Sequence, residues 1–196
     1  LADVGMLMEP TSVVAKAWEQ AERIGRRAWF DPKSVLVTGA GPIGLLAALL
    51  GQQRGLDVHL LDQVTDGPKP RLVQELGATY HHTDIDTVSD LVKPDLVIEA
   101  TGVPSLVLGA MYGTAGYGIT VLTGVSSGGR KLPVDAGELN REIVLENDAV
   151  VGSVNANLRH YAQAAEALAQ ADLDWLRGLV SRRVPLERFA EAFEPE

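Results

Sequence analysis

Hydrophobic and polar positions change period from segment to segment along this chain. Val14, Ala17, Trp18, Ala21 and Ile24 recur at three- and four-residue intervals, one face of a helix. Thr11 or Ser12 is a candidate cap for that helix, which is expected to run to about Trp29. Asp31-Pro32-Lys33 interrupts the pattern. Ser34 to Thr38 is then a short apolar run of strand type, Gly39 to Gly44 a glycine turn, and Ile43 to Arg54 an apolar helix ending near Gly55. Val58 to Leu61 is a second strand, closed by Asp62. Pro70 to Leu76 suits a helix stopped by Gly77, and Ala78 to His81 a short strand. Further strands are expected at Asp95 to Glu99, Gly118 to Leu122 and Ala149 to Val154. Helices are expected at Pro104 to Tyr112 and Asn157 to Ala171, and a Gly/Ser-rich loop runs through Arg130.

Strands alternating with helices of this length make βαβ units and a parallel sheet. The strands lack clean apolar–polar alternation, which fits burial on both faces. Between the first strand and the next helix stands Gly39-Ala40-Gly41-Pro42-Ile43-Gly44, a G-x-G-x-x-G pattern in strand–turn–helix context. The expected fold is therefore α/β: a Rossmann-type, doubly wound, parallel six-stranded sheet with helices on both faces.

Each residue of the turn has a physical role in such a fold. Gly39 permits the tight bend, Gly41 lets backbone approach a pyrophosphate, and Gly44 lets the helix pack closely on the strand. With Pro42 and Ile43 it forms a helix start whose N–H groups and positive dipole end attract phosphate. Asp62 lies 18 residues after Gly44, where an acid accepts hydrogen bonds from ribose hydroxyls and repels a 2′-phosphate. Asp62, with Gln63 beside it, thus favours NAD. Lys69 and Arg71 downstream could meet a 2′-phosphate and keep NADP open. Thr101 and Gly102, and Thr123, Gly124 and Val125, follow the fourth and fifth strands. Ligands of open α/β sheets rest beyond those strand ends. A structural glycine loop, an acid that only closes a strand, and ordinary strand-exit turns are the alternatives at these positions.

Composition narrows the function classes. The chain has 196 residues, 46% hydrophobic and 22% charged, enough to bury a core without staples. It contains no cysteine, which removes disulfides and cysteine-based zinc sites. The net charge of −9 and the dispersed basic residues argue against nucleic acid as a partner. No apolar run approaches the length of a membrane span, and no basic leader precedes Asp3 and Glu9, so a cytoplasmic protein is expected. His81-His82 reads as a surface pair, His160 as a residue on the polar face of its helix, and Arg182-Arg183 as solvated. Ser126-Ser127 lacks the nucleophile-elbow pattern.

A family resemblance adds to this reading. Met8-Glu9-Pro10, the Gly39 to Gly44 turn, Glu75 to Tyr80, Glu99-Ala100-Thr101-Gly102, Val134 to Gly137, Arg141-Glu142-Ile143-Val144 and Gly152-Ser153-Val154-Asn155 carry it. On these residues the chain resembles the glucose dehydrogenase branch of the zinc-dependent medium-chain dehydrogenase/reductase family. The resemblance implies a connecting helix over 1–30, an NAD(P)-binding Rossmann domain over 31–171, and a return segment over 172–196 toward a catalytic domain. The zinc-binding region would lie outside this chain, whose ends at Leu1 and Glu196 read like cuts in a longer polypeptide. Glu9 matches an acid near the catalytic zinc, a possible fourth ligand, with no complete metal site in the chain. Asn155 matches a residue on the sugar or nicotinamide side of the cleft, and Ser153 is a cofactor-binding candidate beside it. Zinc and NAD(P) are the implied cofactors of the whole enzyme, a sugar the implied substrate, and a homo-oligomer through the Rossmann domain the implied assembly. Asp62 and Gln63 stand where many relatives carry Arg, and Leu145 where some carry His. The first departure favours NAD; the second weakens glucose as the sugar. Another zinc-dependent polyol or alcohol dehydrogenase, a zinc-free quinone reductase relative and a non-catalytic dinucleotide-sensing domain are the competing readings.

Overall fold

Short apolar runs flanked by glycine and charge become strands because they can be covered on both sides. The computed structural model describes residues 2–129 and 131–194. Leu1, Arg130, Pro195 and Glu196, where the expected chain ends and the end of the Gly/Ser-rich loop fall, lie outside the described residues. Among the described residues, six strands form one sheet: Ser34–Thr38 (β1), Asp57–Leu61 (β2), Thr79–His81 (β3), Leu96–Glu99 (β4), Ile119–Leu122 (β5) and Ala149–Gly152 (β6). Every pairing is parallel, in the order β3-β2-β1-β4-β5-β6. The chain winds outward from β1 in one direction, then from β4 in the other. That reversal opens a crevice beyond the carboxyl ends of β1 and β4, the place where ligands bind in such sheets.

Among the described residues, eight α-helices surround the sheet: Met8–Gly25 (α1), Pro42–Gln53 (α2), Pro68–Glu75 (α3), Ile85–Val92 (α4), Pro104–Tyr112 (α5), Ala136–Glu146 (α6), Leu158–Gln170 (α7) and Leu173–Gly178 (α8). The larger core layer joins Val35, Val37, Leu60 and Ile98 to Leu46 of α2, Trp18 of α1, Leu168 of α7 and Trp175 of α8. The opposite layer joins Leu36, Leu61 and Val97 to Ile85 and Val88 of α4 and Ala110 of α5. Each such side chain taken fully from water contributes about 1.5–3 kcal/mol. Trp18 keeps its indole N–H satisfied by donating to the Ala47 carbonyl at 3.3 Å. The Arg54 guanidinium lies 4.7 Å from the Trp18 ring. No helix among the described residues is long and apolar enough to cross a membrane.

The sheet follows the expected pattern strand by strand, but several helices do not. Thr11 and Ser12 cap nothing. A 3-10 turn over Ala2–Leu7 leads directly into α1, so both hydroxyls lie inside the helix and donate back to the Leu7 and Glu9 carbonyls, each at 2.6 Å. The helix stops at Gly25 rather than near Trp29, which is 95% exposed. Helices α4, α6 and α8 were not foreseen. Asp84, Asp135 and Asp172 cap them by accepting N–H groups of the first turn. The Arg182-Arg183 pair is exposed, and its guanidinium groups donate to the Glu194 and Asp3 carbonyls.

Candidate functional site

The glycine turn is where β1 hands the chain to α2. Gly39 takes φ +92, and its N–H donates to the Leu61 carbonyl at 2.7 Å, tying the turn to β2. A side chain on Gly44 would start 1.7 Å from the Gly39 carbonyl oxygen, so close helix–strand packing demands glycine there. Gly41 is different. Its φ of −80 and ψ of 179 suit any residue, and a Cβ built on it meets nothing within 4 Å. Neither backbone nor packing requires glycine at this position. Gly41 is also the N-cap of α2, no side chain caps that helix, and Pro42 occupies its first turn. The result is a helix start with free polar backbone facing open space, with no side chain in the way.

Asp62 follows β2 and reaches back to this turn. One carboxylate oxygen accepts from the Ala40 N–H at 2.6 Å and from the Lys69 ammonium at 3.2 Å. The other accepts from the Val64 N–H at 3.0 Å. Burial pushes its carboxyl up, but the Ala40 and Val64 amides and Lys69 outweigh it and hold it below the usual carboxylate range. Gly39, Asp62, Gln63, Lys69 and Thr101 line a cleft of about 850 Å³ at the carboxyl ends of β1, β2 and β4. Its floor is apolar, from Leu61, Ile85 and Leu106. Arg71, by contrast, lines a separate cavity beside α8 and lies 3.7 Å from Glu75. Of the two cations offered against a 2′-phosphate, only Lys69 is in place.

Sequence reasoning passed over the residue that organises the next part of the crevice. Glu99 ends β4 with 0% exposure. Its carboxylate accepts from the Thr101 N–H at 2.8 Å, the Gly102 N–H at 3.1 Å, the Thr38 hydroxyl at 3.2 Å and the Thr101 hydroxyl. Its main-chain carbonyl accepts from the Thr123 N–H and hydroxyl, both at 2.8 Å, and from the Gly124 N–H at 3.0 Å. The signal was an acid at the end of an otherwise wholly apolar strand, a place where it must find donors. Side-chain space is absent at Gly124, whose Cβ would lie 2.0 Å from the Gly102 nitrogen. Thr101, Gly102, Thr123 and Gly124 thus form one contiguous ledge, with Val125 83% exposed beyond it.

The loop after β6 stands one strand further out and does not line the 850 Å³ cleft. Ser153 is buried, and its hydroxyl finds no hydrogen-bond partner among the described residues. Asn155 is exposed and takes φ 62, the left-handed angle that asparagine tolerates. Helix α1 holds this loop. Lys16 donates to the Val154 carbonyl at 2.7 Å, and Glu19 accepts from Arg159 at 2.8 Å and from His160 at 2.7 Å. His160 is only 2% exposed, so the expected polar, solvated position is wrong. Its Nδ1 accepts the Asn157 N–H at 3.1 Å, which leaves Nε2 as the donor to Glu19. The His81-His82 reading also needs correction: His81 is half-buried, stacked on His59 with nitrogens 2.9 Å apart, and only His82 is exposed.

Glu9 is exposed in the first turn of α1. Among the described residues, no group of three His, Cys, Asp or Glu side chains could hold a metal ion. One carboxylate cannot bind zinc tightly, so the residues present do not themselves fit a zinc centre.

Comparisons with known proteins place the chain in a family. The family described as Glucose dehydrogenase C-terminus matches residues 2–196. The chain is 42% identical over 201 residues to the glucose 1-dehydrogenase of Thermoproteus tenax, covering 98% of this chain and 56% of that protein. It is 39% identical over 199 residues to glucose 1-dehydrogenase 2 of Vulcanisaeta moutnovskia, again covering 98% and 56%. The chain spans a little over half the length of these curated relatives. Among solved structures, the Haloferax mediterranei glucose dehydrogenase in complex with NADP, Zn and gluconolactone superimposes with a TM-score of 0.92 at 34% identity, over 100% of this chain and 57% of that one.

Proposed function

Because the chain belongs to the Glucose dehydrogenase C-terminus family, we propose that it is the dinucleotide-binding part of a zinc-dependent glucose 1-dehydrogenase. In this reading residues 31–171 are the cofactor domain, and 1–30 and 172–196 connect it to a catalytic domain. The whole enzyme would oxidise the C1 hydroxyl of an aldose to the lactone. The NADP, Zn and gluconolactone in the Haloferax enzyme support that chemistry. Zinc would be held by ligands outside this chain, with Glu9 nearby, and no step assigned here depends on it.

One observation carries the cofactor assignment. Gly41 is glycine where neither its φ nor its surroundings require it, at the uncapped start of α2. A ligand that must touch the backbone explains this, and an anionic diphosphate fits the dipole of that helix end. Asp62 would accept from the adenosine ribose hydroxyls, which favours NAD; Gln63 would flank them. Thr101, Gly102, Thr123, Gly124 and Val125 would carry the nicotinamide ribose and ring. Ser153 and Asn155 would close the cleft toward the sugar. The bound nicotinamide would supply the hydride acceptor, and this chain would orient it. Association of two copies through the β5 and β6 side belongs to the same proposal.

The test separates binding from folding. NADH titrated into the chain, followed by its fluorescence, is expected to saturate. Gly41→Val should fold as the parent does, because its Cβ has free space, yet lose binding at least tenfold. Unchanged NADH affinity in a folded Gly41→Val would refute the diphosphate site.

A further inference from the structure

The ribose end of the cleft contains a cation that the binding of NAD does not need. Lys69 sits in the first turn of α3, and its side chain is 38% exposed, against 12% for its partner Asp62. The two differ in how firmly they are held. Asp62 is fixed by two backbone N–H groups, from Ala40 and Val64. The Val64 carbonyl is in turn held by the Tyr80 hydroxyl. Burial, then the Asp62 charge, raises the Tyr80 phenol to about 12, so it remains a donor. Lys69 has a flexible four-carbon stem and a single ionic partner at 3.2 Å. Around them, the residues lining the cleft include three carboxylates, Asp62, Asp84 and Asp86, and among the described residues Lys69 is the only lysine or arginine. A phosphate entering here would meet a negative field with one mobile positive charge in it.

Resting on the nucleotide reading above, we propose that Lys69 is the cofactor-specificity residue. Its ammonium pairs with Asp62 when NAD is bound and turns to the 2′-phosphate when NADP is bound. The chain then accepts both cofactors, with NAD preferred. Asp62 sets the preference in two ways: it repels the phosphate, and it competes for the ammonium that would bind it. Arg71 plays no part, since it faces the α8 cavity. The proposal therefore makes opposite demands on two adjacent side chains, which a purely structural ion pair would not.

The experiment is a calorimetric titration of NAD and of NADP into the full chain and into Lys69→Gln, Lys69→Arg and Asp62→Asn, with circular dichroism to confirm folding. The ratio of NADP to NAD affinity is expected to fall about tenfold in Lys69→Gln, as for loss of one charge-assisted contact. It should be largely restored in Lys69→Arg and rise several-fold in Asp62→Asn. A Lys69→Gln chain that binds both cofactors in the parental ratio overturns the specificity role and leaves the nucleotide site standing. So does an Asp62→Asn chain in which the ratio falls. A parental chain that binds neither cofactor overturns the nucleotide reading, and this inference with it.

Discussion

Gly41 and Gly44 stand three residues apart and are glycine for opposite reasons. Gly44 serves the fold: a methyl group there would collide with the Gly39 carbonyl at 1.7 Å, and backbone cannot yield as a side-chain tip can. Gly44→Ala is expected to lower the unfolding free energy by about 1–3 kcal/mol, the usual cost of overpacking, read from the urea midpoint. In the proposed reading Gly41 serves a ligand, and because its Cβ would meet nothing within 4 Å its replacement is expected to spare stability. The sequence pattern already assigned different roles to the two positions by their place in the turn; what it lacked was the contact distance at Gly44 and the open space at Gly41. Asp62 was legible because its spacing from the turn reflects the length of one α–β unit. Glu99 was not. Its donors come from Thr38, 61 residues earlier, and from a turn whose shape is known only once β4 and β5 lie side by side.

Among elements, strands were easier to read than helices. The central strands were legible as apolar runs because a parallel sheet buries both faces, a composition signal that needs no partner information, whereas β3 is Thr-Tyr-His and only partly buried. Helix α6 shows the opposite case: it has no buried residue, so its sequence carries little amphipathic demand. The α1–α7 contact could not be read at all, because Glu19 and His160 lie 141 residues apart. Glu19→Ala would leave the His160 Nε2–H buried without an acceptor and is expected to cost about 1–3 kcal/mol at pH 7. The pH dependence has a definite sign. The His160 hydrogen bond, with help from Arg159 against burial, holds the Glu19 carboxyl below its ordinary 4.5 in the folded chain. The unfolded chain takes up that proton first, so this stabilisation is present above pH 4.5 and fades as pH falls through the lowered value. Urea titrations at pH 7 and pH 3 should show the difference between parent and Glu19→Ala shrinking at the lower pH.

For the whole molecule, exposed apolar side chains lie at the crevice, as Val125 does, and also well away from it. Strand β6 ends the sheet with one side unpaired, and next to the sheet edge α6 exposes Val144 and Leu145 by 63% and 68%. An open edge flanked by apolar side chains favours pairing with another chain. Sedimentation velocity at increasing concentration is expected to show association, and Leu145→Glu to shift it toward monomer. The same variant should change unfolding free energy by less than about 0.5 kcal/mol, as for other surface substitutions. A monomer at every concentration would sink the assembly proposed through this side. Leu186, Phe189 and Phe193 are exposed too, at 81%, 63% and 83%. The architecture was thus readable from alternation and one glycine turn, whereas the surfaces that complete it depend on chain segments brought together from far apart.

Glu99 has a consequence for anyone who would reshape this protein. One residue ties together the end of β1, the turn that leaves β4 and the turn that leaves β5, the first two through its carboxylate and the third through its main-chain carbonyl. The three cannot be redesigned one at a time: a change that displaces Glu99 from any of them will be felt by the other two. For engineering purposes the ledge is a single part.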